Sequence, residues 1–120
     1  MSKSDELAAA CSLYPDACKR LNIPEPEFHG NVASRRHLRD LFTFTGAELR
    51  RYIETNPGLA EDLYDKSLDQ RSTPSAFMAE ARGGYTVGWF DRAPSEEHFH
   101  RRIEEAAADF VLTYWGLARL

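Results

Sequence analysis

The clearest hydrophobic pattern along the chain is a stripe of apolar residues near its C-terminus. Pro94 and Ser95 precede this stripe, and these residue types favour the first turn and the N-cap of a helix. We therefore expect a long amphipathic helix that begins at Pro94 and Ser95 and ends near Gly116. Its inward members recur at spacings of three and four residues, as one helix face requires: Phe99, Ile103, Ala106, Ala107, Phe110, Tyr114 and Leu117.

A second pattern, typical of strands, precedes this helix. Residues 75–81 and 85–91 both have strand-like composition, and Arg82-Gly83-Gly84 between them is typical of a tight turn. These features predict one antiparallel β-hairpin. A two-stranded ribbon is not stable alone in water, so we expect the C-terminal helix to cover one of its faces.

The second strand of the hairpin carries large apolar residues on both of its faces. Alternate side chains of a strand point to opposite sides. Tyr85, Val87 and Trp89 therefore share one face, whereas Phe90 lies on the other. If the helix covers only one face, the aromatic residues on the other are left for contact with another molecule.

Short helices are predicted before the hairpin. Thr45 and Glu48 match a capping box, in which the side chain of each residue bonds the backbone N–H of the other. In the segment before this box, Leu38, Leu41 and Phe42 are expected to face inward. The predicted helices span residues 4–21, with a break near Pro15, and residues 34–42, 46–55 and 57–68.

Chain length places these elements in one domain. Because 120 residues can bury one core, residues 1–120 are expected to form a single α+β domain: short N-terminal helices, one hairpin and a C-terminal helix packed on it. No apolar run reaches the roughly 18–20 residues that cross a bilayer. Acidic residues and a proline near the N-terminus do not fit a signal peptide. We therefore expect a cytoplasmic protein without membrane contact.

Negative charge is concentrated in the second half of the chain. Residues 1–60 contain eight Lys and Arg against eight Asp and Glu, whereas residues 61–120 contain seven against eleven. On a helical wheel for residues 59–69, four carboxylates gather opposite the apolar side, and we call them the acidic face: Glu61, Asp62, Asp65 and Asp69. Such a face either solubilises the protein or steers a basic partner to it.

No motif for catalysis, a cofactor or a metal stands out. The sequence lacks HExxH, GxSxG, a glycine-rich phosphate loop and paired CxxC motifs, so we expect no enzyme activity and no cofactor. If Cys11 and Cys18 lie on one continuous helix, they are about 10.5 Å apart along it, which is more than the roughly 7 Å between Cα atoms that a disulfide allows. We therefore expect two reduced thiols. On the predicted helix, His98 and His100 would be roughly 200° apart and could not share a metal ion, so no metal site is expected.

An alternative function is DNA binding by a winged helix-turn-helix. The basic residues at 35–39 and the pair Arg50 and Arg51 favour it, and helices followed by a hairpin fit its outline. The negative net charge argues against nucleic acid as the partner. If the helix that carries Glu61 and Asp62 faced DNA, these carboxylates would also repel the phosphates.

Two stretches, "SAFMAEARGGYTVGWFD" and "AAADFVLTYWGLARL", resemble small acidic bacterial proteins that act as immunity partners of secreted toxins. That class has many folds and no shared motif, so no functional residue is carried over. The resemblance implies a cytosolic protein that binds a toxin domain and blocks its active site or its access to substrate. A basic nuclease domain would suit the acidic face.

Taken together, these patterns predict a non-enzymatic module that binds another protein. Its binding surface would combine the acidic face with whichever of Tyr85, Trp89 and Phe90 the core leaves exposed, because aromatic side chains supply buried area while charges set the encounter rate. A homodimer formed through the edge strands of the hairpin is a further alternative.

Overall fold

The computed structural model describes residues 2–14, 16–24, 38–68 and 75–118, and within them it confirms an α+β fold. Leu38 and Arg39 are helical, and the described residues also include five helices and one three-stranded antiparallel sheet. In chain order they are α1 (Lys3–Ser12), α2 (Asp16–Leu21), α3 (Gly46–Glu54), α4 (Leu59–Leu68), β1 (Ser75–Ala81), β2 (Gly84–Asp91), β3 (Ala93–His100) and α5 (Ile103–Trp115).

The predicted hairpin is confirmed as β1 and β2. The two strands pair antiparallel, with Met78 opposite Val87, and the connecting residues Arg82 and Gly83 have φ of 46° and 81°. Two successive positive φ values are the signature of the two-residue type I′ turn, whose twist matches that of the strands. The turn therefore fixes the register that places Val87 in the core.

A third strand occupies the segment where the sequence predicted the start of the last helix, so that prediction is wrong. β3 pairs antiparallel with β2, with Val87 opposite His98 and Thr86 opposite Phe99. Arg92, with φ of 67°, lies at the reversal between the two strands. Pairing with β2 satisfies backbone groups along this segment, and this outweighs the local helix-start signal of proline and serine.

The residues predicted to begin that helix have other positions. Ser95, expected as the N-cap, lies in β3 and its hydroxyl donates to the carbonyl of Trp89 at 3.3 Å. Phe99, expected on the buried stripe, is 50% exposed. The helix itself, α5, begins at Ile103, and its N-cap Arg102 makes no side-chain capping bond.

α5 is the central element of the core. It packs on all three strands, as predicted for a helix beneath the sheet, and it also contacts α1, α3 and α4. Every residue from Ala106 to Trp115 is buried, so the predicted stripe is only part of its contact surface. The indole N–H of Trp115 donates to the carbonyl of Ala10 at 2.9 Å, which ties α5 to α1.

The N-terminal helices follow the sequence pattern with small differences. The capping box at Thr45 and Glu48 is present at the start of α3. α4 begins at Leu59 rather than residue 57, after a turn in which Gly58 has φ of 85°. Leu41 is 40% exposed, so its predicted inward position is wrong, although Leu38 and Phe42 are buried as predicted. Residues 34–37 of that predicted helix lie outside the described residues.

Two further expectations concern the cysteines and the membrane. Cys11 and Cys18, both within the described residues, are buried and are not joined in a disulfide. Among the helices that the structure describes, none combines the length and apolar character needed to cross a bilayer.

Candidate functional site

The acidic face lies on the solvent side of α4. Glu61, Asp62 and Asp65 are all exposed there, while Asp69 lies outside the described residues. One of the three described carboxylates is partly neutralised, because Lys66 Nζ lies 3.2 Å from Asp62 Oδ2. The exposed carboxylates are thus available for long-range attraction of a positively charged molecule.

Tyr85 and Trp89 lie on the helix-covered side of the sheet, where both are half-buried against the core. The Tyr85 ring meets that of Tyr64 on α4 edge to face, with the centroids 5.8 Å apart. Burial raises the pKa of the Tyr85 hydroxyl, and negative charge on Glu80 and then Glu61 adds to the rise. Tyr85 therefore borders the acidic face, whereas Trp89 contributes chiefly to packing.

The opposite side of the sheet carries a row of phenylalanines, which we call the outer aromatic face: Phe77, Phe90 and Phe99. Phe90 is 37% exposed and Phe99 is 50% exposed, while Phe77 is half-buried. The strand register places Phe77 beside Gly88, next to Phe90, and places Phe99 beside Thr86, four residues along β2 from Phe90. The described helices α4 and α5 pack on the other side, where Met78 and Val87 are buried.

Two glycines hold the rings of this face close to the backbone. A Cβ atom on Gly84 would lie 2.7 Å from Cζ of Phe99 and would also meet the carbonyl oxygen of His100. A Cβ atom on Gly88 would lie 2.9 Å from Cε1 of Phe77. The glycines thus leave the space that the phenylalanine rings fill, which gives the outer aromatic face a defined shape.

Arginines mark one end of the outer aromatic face. A surface pocket of about 480 Å³ opens beside Phe99 and includes Arg82 and Arg101 in its lining. A second pocket of about 550 Å³ shares both arginines and includes Glu80 and Tyr85. The surface therefore combines exposed apolar area with charged groups of both signs at its rim, as protein interfaces commonly do.

The structure also brings together three residues, two of which the predicted helix placed on opposite sides. Because β3 is a strand, His98 and His100 point to the same side, towards α5. Asp109 Oδ2 on α5 lies 2.7 Å from His100 Nε2 and 3.5 Å from His98 Nδ1. The argument that these histidines could not share a ligand is therefore wrong, since it assumed a helix. The alternation of His98, Phe99 and His100 fits a strand, but Phe99 also fits the phase of the helix that follows.

The basic residues behind the DNA-binding alternative are partly occupied by acidic neighbours. Arg50 Nε lies 2.8 Å from Glu54 Oε1, and Arg50 Nη2 lies 3.7 Å from Glu105 Oε1. The hydrogen bond from Arg50 is the main reason that the pKa of Glu54 is lowered. Residues 35–37 lie outside the described residues. DNA binding by this segment stays a prediction.

Comparison with other proteins assigns no family to the chain. No protein-family model matches it, and searches of curated proteins and of solved structures find no match either.

Proposed function

We propose that this chain is a non-enzymatic protein-binding module of the cytoplasm, and that it neutralises a toxin domain by covering its active site or substrate path. The observation that carries the proposal is the outer aromatic face. Phe90 and Phe99 lie on neighbouring strands and are 37% and 50% exposed, while the described helices α4 and α5 pack on the opposite side of the sheet. Exposed aromatic side chains set in a rim of charges are the usual anchors of a protein interface.

The charges of the molecule support a partner with a basic region. The net charge is -4, and the acidic face on α4 presents Glu61, Asp62 and Asp65 to solvent. Such a group attracts a basic domain over about 10 Å at moderate salt and so raises the association rate. In this proposal the acidic face guides the partner, while the phenylalanines supply the contact that holds it.

The decisive experiment uses the product of the neighbouring gene. The proposal predicts that the neighbouring gene encodes a toxin. Co-expression of this chain should restore growth of cells that produce the toxin domain, and the two purified proteins should form a complex. The double substitution Phe90→Ser and Phe99→Ser should abolish rescue and weaken binding at least 100-fold. The matched control is Leu68→Ser, which changes a 64% exposed apolar residue on α4.

The result of this comparison separates the interface from general solubility or folding effects. Rescue that survives the phenylalanine substitutions, or is lost equally in the Leu68 control, contradicts the placement of the interface on the outer aromatic face. A neighbouring gene product that is not a toxin and forms no complex contradicts the immunity role itself.

A second experiment tests the guiding role of the acidic face. Replacing Asp62 and Asp65 by lysine should slow association with the partner roughly tenfold or more at low salt, with little change in the dissociation rate. The control variant makes the same change of charge at Asp16 and Asp40, which are exposed residues outside both α4 and the sheet. Equal association rates for the two variants would exclude a specific role for α4.

A further inference from the structure

The strongest unexplained cluster in the molecule joins β3 to α5. His98, His100 and Asp109 each offer one ligand atom, and the three atoms all lie within 4.8 Å of one another. Val87, which lies directly opposite His98 in the sheet, is fully buried. The cluster therefore lies at the margin of the core, between the edge strand and the central helix.

The geometry of the cluster is close to that of a metal site. Ligand atoms about 2.1 Å from a tetrahedral metal ion lie about 3.4 Å from one another. The distance from His98 Nδ1 to Asp109 Oδ2 is 3.5 Å, which already matches this separation. The distance from His100 Nε2 to Asp109 Oδ2 is 2.7 Å, so these two atoms would have to move slightly apart. A metal ion would therefore require a shift of the imidazole of His100, starting from ligand atoms that all lie within 4.8 Å of one another.

The carboxylate is held in place for this role. Asp109 is 3% exposed, so its position is set by the packing of α5. The hydroxyl of Thr113, one turn further along α5, donates to Asp109 Oδ1 at 3.4 Å, while Oδ2 faces the two histidines. A second hydrogen bond that orients a ligating carboxylate is a regular feature of metal sites.

We propose that His98, His100 and Asp109 bind one divalent transition-metal ion, with zinc as the ion of choice. Two imidazoles and one carboxylate suit zinc and its first-row neighbours, whereas magnesium and calcium prefer sites made wholly of oxygen ligands. The side chain of His98 is 45% exposed, so the fourth position of the ion faces solvent and takes a water molecule. The ion ties the edge strand β3 to the central helix.

The test is calorimetric titration of the chelator-treated full chain with zinc and, in a separate metal-free sample, with magnesium. We expect one zinc ion per chain and no magnesium binding. His98→Ala should weaken zinc binding at least tenfold, and Asp109→Asn should do the same. Thr113→Val should weaken it roughly tenfold, because the carboxylate loses its orienting bond. The matched control replaces the other two histidines of the chain, His29 and His37, by alanine and should bind zinc as the parent does.

A spectroscopic and a thermal readout accompany the titration. Cobalt in place of zinc should give the intense visible absorption of a four-coordinate ion, and His98→Ala should lose it. Zinc at 100 times its dissociation constant should raise Tm by roughly 10 °C, reversibly with chelator.

Either of two results overturns the proposal: zinc binding that is unchanged in His98→Ala, or zinc binding that disappears in the control at His29 and His37. Should Asp109→Asn fail to fold, His98→Ala still decides, because its half-exposed side chain is not part of the core.

Discussion

Phe110 and Phe99 form a matched pair of substitutions that tests where the last strand ends and the last helix begins. Phe110 lies in α5 with none of its surface exposed, and Phe99 lies in β3 with half of its surface exposed. If residues 94–115 formed one helix with a buried stripe, replacing either phenylalanine by alanine would have a similar cost. In the structure described here the costs differ.

The expected magnitudes follow from burial. Removing a fully buried phenylalanine side chain costs about 3–5 kcal/mol, because the transfer free energy is lost and a cavity remains. At Phe99 about half of the transfer term, roughly 1 kcal/mol, is lost, and no closed cavity forms. The difference between the two variants is thus at least about 2 kcal/mol. For a domain of this size that corresponds to a difference in Tm of roughly 8 °C or more.

The assay is urea unfolding at equilibrium, followed by circular dichroism, with the parent chain and both variants at one protein concentration. Equal m-values would show that the compactness of the unfolded state is unchanged, so that the free energies can be compared. A cost above about 2 kcal/mol for Phe99→Ala, or below about 1 kcal/mol for Phe110→Ala, would refute the assignment of β3 and the central position of α5.

Three further substitutions test local interactions by the same unfolding assay. Thr45→Ala should cost about 1 kcal/mol, since it removes the hydroxyl that accepts from the backbone N–H of Glu48, and no measurable loss would contradict the capping role. Glu6→Gln should cost roughly 1–3 kcal/mol, because the buried carboxylate accepts from the backbone N–H and the hydroxyl of Thr43; a neutral effect would argue against this contact. Burial raises the pKa of the Cys11 thiol from 9.0 to about 12, so the folded chain keeps a proton that the unfolded chain loses. The free energy of unfolding should therefore fall between about pH 9 and 12, by about 1 kcal/mol per pH unit. If the parent and Cys11→Ala show parallel dependence of this free energy on pH, the reasoning is wrong.

Local sequence signals predicted those elements whose causes are local. The capping box at Thr45 and Glu48 predicts the start of α3, because both partners of its hydrogen bonds lie within one helical turn. Gly83 predicts the turn between β1 and β2 for a similar reason, because glycine adopts the positive φ of a tight turn at low cost. In each case a few neighbouring residues contain the whole physical argument.

The third strand and the cluster on it could not be predicted in this way. Whether residues 93–100 form a helix or a strand depends on pairing with β2, and Phe99 fits the phase of the following helix as well as the alternation of a strand. The approach of His98 and His100 to Asp109 depends in turn on that strand and on the packing of α5 against it. Contacts between residues far apart in the sequence thus determine both the third strand and the cluster of side chains on it. The periodicity of each element predicted which side chains share a face, as for Phe90 opposite Tyr85 and for the carboxylates of the acidic face. It did not predict which hairpin face is exposed, because that depends on where α5 packs.

The first half of β3 has a consequence for self-association. β3 is an edge strand, and edge strands invite pairing with strands of other molecules. Here Pro94 offers no N–H, Glu96 has φ of 54°, and the register between the strands shifts between Val87 and Trp89. A flat, continuous row of donors and acceptors is therefore missing at this margin. Pairing of copies, strand upon strand, into ribbons or fibrils is therefore disfavoured along this half of β3.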